Sequence, residues 1–164
     1  MEVEIGKTVL PSHYKGTRRY VIHPCDFIKQ ADSHRIPQIS WQWIRSINPE
    51  QDKYMLAEVP VHLPHGAIVT GFKVFWYRND ALATGSAALG RLKLNDGTYG
   101  WMATAGSDSS AGHHEVEDTT IDYPTIDNVN YAYFAHISLY ANDAVGDVYL
   151  KGILITYSID SPLP

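Results

Sequence analysis

The sequence predicts an all-β fold: an antiparallel β-sandwich of eight or nine strands, of the jelly-roll type. Three observations carry that expectation. Residues 59–77, VPVHLPHGAIVTGFKVFWY, read as a turn that launches a long buried strand. Pro60 and Pro64 restrict the backbone on either side of His62, Gly66 allows a tight reversal, and β-branched and aromatic residues run on from Ile68. Two further strand-like runs, residues 131–140 and 148–157, stand near the C-terminus. The remaining runs have strand length and sandwich-like spacing, which leaves no room for the helical crossovers of a parallel sheet.

The elements follow in order. Residues 1–17 form an N-terminal arm, and residues 18–164 a single sandwich domain. Residues 18–23 make the first strand, with Tyr20 and Ile22 on one face, and Pro24 ends it because it has no N–H to donate. Residues 25–33 form a turn or a short helix. In residues 39–47, Trp41 and Trp43 are two apart and share a strand face; Asn48-Pro49-Glu50 closes that strand as a turn. Residues 54–63 lead into the Pro-Gly turn. In residues 67–78, Ile68, Phe72, Val74 and Trp76 fall on one face, with Val69, Lys73, Phe75 and Tyr77 on the other. Residues 88–94 and 99–105 pair as a hairpin around Asn95-Asp96-Gly97, since Asn and Gly tolerate positive φ. Residues 106–112, GSDSSAG, form an exposed, mobile loop. A strand over 115–121 and a structured connection over 122–130 precede the two C-terminal strands.

Composition bounds the rest. A chain of 164 residues with 45% hydrophobic content can bury a core without staples, and its 11 Tyr and 4 Trp lean towards β structure. The net charge of −5, with no long run of either sign, argues against a nucleic-acid surface. Lys15, Arg18 and Arg19 read as a solvated face. Cys25 is the only cysteine, so an intrachain disulfide is excluded, and a small buried apolar role is expected for it. No apolar stretch approaches the roughly 18 residues of a membrane span. The opening MEVEIGKTVL has neither a basic n-region nor an apolar h-region, so no leader is expected and the location stays open.

Several segments carry a recurring pattern: Val21-Ile22-His23-Pro24-Cys25-Asp26-Phe27, residues 59–77, Leu89-Gly90-Arg91-Leu92, Ile126-Asp127-Asn128, Tyr131-Ala132-Tyr133-Phe134, and residues 150–157. Over most of its length, from Tyr20 onwards, the chain resembles a group of uncharacterised bacterial and metagenomic all-β proteins. They share the PVHLPHGA strand-turn and the C-terminal strand pair. The matched positions are turn and core residues, so the resemblance implies a fold and carries no catalytic residues. Many of these relatives look secreted, whereas this sequence shows no leader.

Eight histidines raise a metal hypothesis. The densest ligand cluster is His113, His114 and Glu117, with His136 as the distant member. Adjacent histidines on a strand point to opposite faces, unlike the two-apart pair of a cupin-like site. Nothing local makes Cys25 a nucleophile. Serines 107, 109 and 110 lack a nucleophile elbow, and no phosphate-cradling glycine pattern is present. No cofactor is expected. The aromatics Trp41, Trp43, Tyr99 and Trp101 remain as a candidate ligand-binding set, because an exposed ring offers an apolar plane to a sugar.

The leading sequence reading is a non-catalytic structural or interaction module acting as a homo-oligomer, associated with a virion or a surface, with a trimer as the first expectation. Its premise is the two-sided apolar strand at 67–78, which needs a cover on each face. The alternative is a carbohydrate-binding module with a glycan partner. A second alternative is a cupin-like metal-dependent enzyme.

Overall fold

Each sheet of this molecule owes its shape to which strands the chain brings back to pair late. The computed structural model describes residues 16–29, 54–107, 110–141 and 148–159. Its strands are β1 (Gly16–Ile22), β2 (Ile28–Lys29), β3 (Tyr54–Val61), β4 (Ile68–Arg78), β5 (Thr84–Lys93), β6 (Tyr99–Gly106), β7 (Gly112–Asp118), β8 (Tyr131–Tyr140) and β9 (Val148–Ile159), with one 3-10 turn at Pro24–Asp26. A four-stranded sheet runs β1-β9-β4-β7 and a five-stranded sheet runs β2-β3-β8-β5-β6. Every pairing is antiparallel. The first strand pairs with the last, and most connections cross from one sheet to the other. That is jelly-roll connectivity, as the sequence predicts. Among the described residues no helix is long and apolar enough to cross a membrane.

The core lies between the inner faces of the two sheets. Phe72, Val74, Trp76, Leu150, Ile153 and Ile155 come from the four-stranded sheet, and Val59, Val61, Leu89, Met102, Ile137 and Leu139 from the five-stranded one; all are buried. Gly85 opposes the Trp76 indole, where an added Cβ would stand 2.9 Å from Cζ3. The glycine makes room for the largest core side chain.

Three irregularities of register decide which side chains enter that core. Between Val69 and Gly71 the pairing with β9 slips by one, leaving Thr70 as the extra residue. Val69 is therefore buried on the same side as Phe72, although strict alternation assigns it to the opposite face. Ile68, which alternation groups with Phe72, is only half-buried and makes an isolated bridge to Thr125. On β9, Lys151 is the extra residue between Leu150 and Gly152, and the inward set changes from Val148 and Leu150 to Ile153 and Ile155. On β6, Met102 plays that part, between Trp101 and Ala103.

The apolar surplus behind the homo-oligomer expectation is smaller than alternation implies. Val69 is inside. Phe75 and Tyr77 are half-buried on the outer face beside charged groups. Lys73 Nζ lies 3.1 Å from Glu117 and 3.5 Å from Glu115, and Lys151 Nζ lies 5.7 Å from the Tyr77 ring centre. The hydrogen bond and charge of Glu117 hold the Lys73 ammonium above its ordinary pKa.

Turn chemistry follows the sequence closely. The Pro64–Gly66 turn has Gly66 at φ +77° and docks on the 122–130 connection, where Gly66 N–H donates to Ile126 O (2.8 Å) and Asn128 N–H to His65 Nδ1 (3.1 Å). Of the two histidines around this turn, His62 is exposed and His65 accepts the Asn128 N–H. Cys25 is also exposed, because Pro24 takes the buried place in the 3-10 turn. In the 106–112 loop, Gly106, Ser110 and Ala111 are exposed, and Ser107 ties the start of the loop to Gly85 through bonds of 2.7 and 2.9 Å. Arg78 is buried, and among the described residues it has no carboxylate partner; its guanidinium donates to the carbonyls of Asp80 and Ala81, organising the β4–β5 turn.

Two outcomes are expected. Truncating the fully buried Phe72 to Ala should cost about 3–5 kcal/mol in guanidinium unfolding, because both transfer and cavity terms apply. The Asp96 carboxyl is held at about 2, first by the Thr98 backbone N–H, then by the Thr98 hydroxyl and Lys93. The unfolded chain takes up that proton at higher pH, so the stability Asp96 lends is complete above the ordinary carboxylate range and is lost as pH falls towards about 2. An NMR pH titration following the Thr98 amide, which bonds Asp96 Oδ1 at 2.9 Å, reads this directly.

Candidate functional site

The outward face of the five-stranded sheet carries a groove of about 710 Å³. Glu58 and Pro60 of β3 form one wall, Phe134 and His136 of β8 the floor, and Leu92 of β5 with Tyr99 and Trp101 of β6 the other side. Antiparallel register sets the rows. Pro60, Phe134, Gly90 and Trp101 lie opposite one another across four strands, and Glu58, His136, Ala88 and Thr104 form the next outward row.

Gly90 shapes the floor. A Cβ there would fall 2.5 Å from Phe134 Cζ, so the Phe134 ring lies down over the glycine. In that position it meets the Trp101 ring edge-on, at 5.7 Å between centres and 63°. Tyr99 also packs against Trp101, at 5.7 Å and 69°, and so does His136, at 5.6 Å and 49°. Trp101 is thus the hub of four rings while remaining 39% exposed; Tyr99 is 64% exposed.

The bulge at Met102 makes this possible. Unbroken alternation would put Trp101 on the same face as Ala103 and Ala105, which are buried. The extra residue turns Met102 inward together with Ala103 and leaves Trp101 outside. One polar pair completes the groove: His136 Nδ1 lies 3.2 Å from Glu58 Oε1. That pair offers hydrogen-bonding groups beside the Trp101 ring. Beneath the sheet, the buried Tyr133 hydroxyl accepts the Asp127 N–H at 2.7 Å, and burial raises its phenol above the ordinary range.

Of the four aromatics singled out in the sequence, the structure brings Tyr99 and Trp101 together; Trp41 and Trp43 lie outside the described residues. The candidate metal set is dispersed. His113 sits on the outer face of the four-stranded sheet against Tyr77, at 4.9 Å. Glu117 on that face pairs with Lys73, and His114 opposes the inward Trp76. His136 belongs to the other sheet. Among the described residues no group of three or more His, Cys, Asp or Glu could hold a metal ion. Sequence reasoning missed Phe134, Glu58 and Gly90, and assigned His136 to a metal. The signal was present: Tyr133, Ala135 and Ile137 point inward, so Phe134 and His136 must point outward.

No family model matches the sequence, and no curated protein matches it. Solved structures with a similar fold are mostly carbohydrate-binding modules. The CBM22-1 and GH10 modules of a Clostridium thermocellum xylanase, complexed with xylohexaose, superpose with a TM-score of 0.51 at 13% identity, over 87% of this chain and 28% of that one. The xylan-binding module CBM15 gives 0.49 at 12%, over 86% and 97%. A family two carbohydrate esterase from Cellvibrio japonicus gives 0.45 at 9%, over 90% and 36%, so this chain spans about a third of that protein's length. At these identities the likeness is one of fold.

Gly90→Ala is expected to lift the Phe134 ring off the sheet and break its contact with Trp101. The near-UV circular dichroism and Trp fluorescence should change, while the far-UV spectrum stays that of the folded sandwich. An unchanged near-UV spectrum would mean that Phe134 does not depend on the glycine.

Proposed function

We propose that this protein is a carbohydrate-binding module whose ligand lies in the groove of the five-stranded sheet. The observation that carries the reading is the ring cluster around Trp101, held partly exposed beside a hydrogen-bonding carboxylate–imidazole pair. A sugar ring has an apolar C–H face and a rim of hydroxyls. Trp101 and Tyr99 match the first, and Glu58 with His136 match the second. Binding pockets of this composition, mainly apolar with a few placed polar groups, suit small organic ligands in general. The carbohydrate-binding modules with this fold support the same reading.

Ring inclination narrows the ligand. Tyr99 and Phe134 are tilted 69° and 63° to Trp101, so the three rings do not form one plane. Such a surface fits a single soluble chain or chain end better than the flat face of a crystalline polysaccharide. Among the described residues that line the groove, Glu58 is the one carboxylate and there is no Lys or Arg, which favours neutral sugars.

The test is affinity electrophoresis and calorimetry with soluble xylan, xylohexaose and mixed-linkage β-glucan, alongside a pull-down on microcrystalline cellulose. Binding to at least one soluble glycan is expected, with little retained on the crystalline solid. Trp101→Ala should weaken it about tenfold or more with little change in unfolding midpoint, since the ring is partly exposed. Retention of full affinity by Trp101→Ala would reject the groove as the site.

A further inference from the structure

A second feature lies on the same strands but faces away from the groove. The Arg91 guanidinium carbon stands 3.6 Å from the ring centre of Tyr123 and 4.5 Å from that of Tyr131. Arg91 and Tyr131 each precede a groove-lining residue, Leu92 and Ala132, so strand alternation turns their side chains to the other side of the sheet. Both rings lie within cation–π distance of the guanidinium and restrain it, and neither ring offers its N–H groups a strong acceptor.

Among the described residues Arg91 makes no side-chain hydrogen bond and no ion pair; its guanidinium lies against the two tyrosine rings. Asp127, which shares with Arg91 an influence on Tyr133, spends its carboxylate on its own turn: it accepts from Val129 N–H at 3.1 Å and Asn130 Nδ2 at 2.7 Å. Asp96, on the adjoining hairpin, is held by Lys93 at 3.0 Å. A half-buried cation with unspent donors is a recognition group waiting for an acceptor.

The backbone supplies the second observation. Tyr123 has φ +51° and is the one non-glycine residue with positive φ among those described. Its ring is 59% exposed, so the strained conformation is not repaid by burial. What the conformation does achieve is to lay the ring over Arg91.

We propose that Arg91, clamped between Tyr123 and Tyr131, is a binding site for a single oxyanion: the carboxylate of an acidic saccharide or an inorganic sulfate. The anion would take two parallel N–H bonds from the guanidinium edge. One small anion suits the site, because a net charge of −5 repels a polyanion. The site stands on different residues from the groove and does not depend on the glycan reading.

The experiment follows the Arg91 Nε–Hε signal by 1H–15N NMR during titration of the intact protein with sodium glucuronate, with sodium sulfate, and with glucose as the neutral control, at ionic strength held constant with sodium chloride. A saturable shift with glucuronate or sulfate, and none with glucose, is expected. Glucuronate alone identifies a saccharide carboxylate, and sulfate alone an inorganic oxyanion. Arg91→Gln should remove the saturable response of its neighbours, and Tyr123→Gly, which suits the backbone at φ +51°, should weaken binding about tenfold. Tyr123→Phe should retain it. No saturable shift with either anion, or undiminished affinity in Tyr123→Gly, would overturn the proposal.

Discussion

A side chain on a β-strand has two directions available, and an inserted residue is the local device that exchanges them. Most of what distinguishes this molecule depends on that constraint. The jelly roll needs an apolar inner face on each sheet, and the sequence supplies apolar residues with a period of two only in pieces. Thr70, Lys151 and Met102 join those pieces. At Thr70 the extra residue brings Val69 into the core with Phe72, and at Lys151 it does the same for Ile153 and Ile155. At Met102 it does the reverse service, keeping the small alanines inside and the indole of Trp101 outside.

The two faces of the five-stranded sheet therefore divide the labour. Val59, Leu89, Met102 and Ile137 close the core and stabilise the fold. Pro60, Phe134, Gly90 and Trp101, their neighbours in sequence or across the sheet, contribute little to it and are free to form a surface. Gly90 shows how local that surface is: an absent methyl group sets the pose of Phe134, and Phe134 in turn meets Trp101. The polar pair of Glu58 and His136 sits one row further along, within reach of the same rings.

Much of this was legible beforehand. The all-β class, the jelly-roll arrangement, the Pro64–Gly66 turn and the Asn95-Asp96-Gly97 hairpin all follow from strong local chemistry, and counting back from that hairpin already sets Trp101 opposite Gly90. The bulges were not legible. An extra residue such as Thr70 or Lys151 carries no composition of its own, and its effect appears only once the partner strand is known. Val69 was therefore assigned to the wrong face, and the apolar set inferred opposite Phe72 was larger by that residue than the outer set of Phe75 and Tyr77 that the structure has. Cys25 shows a simpler limit, since Pro24 and Cys25 compete for one buried place and only packing decides. The groove was half visible, as Tyr99 and Trp101. Phe134 and His136 come from a strand 30 residues or more away in sequence, which no local pattern connects to them.

The position of β9 has a consequence for how the chain reaches this state. β9 spans Val148–Ile159 and lies between β1 and β4, so Gly16 pairs with Ile159 and Val69 with Tyr157. Among the described strands, β1 pairs only with β9 and β4 only with β9 and β7, so their sheet waits on β9. The five-stranded sheet is under no such restriction from β9, because β3, β8, β5 and β6 are all made earlier. The groove-bearing sheet can therefore pair before β9 is made, whereas the opposing sheet closes around β9 through contacts of long sequence separation, whose loop-closure entropy slows folding.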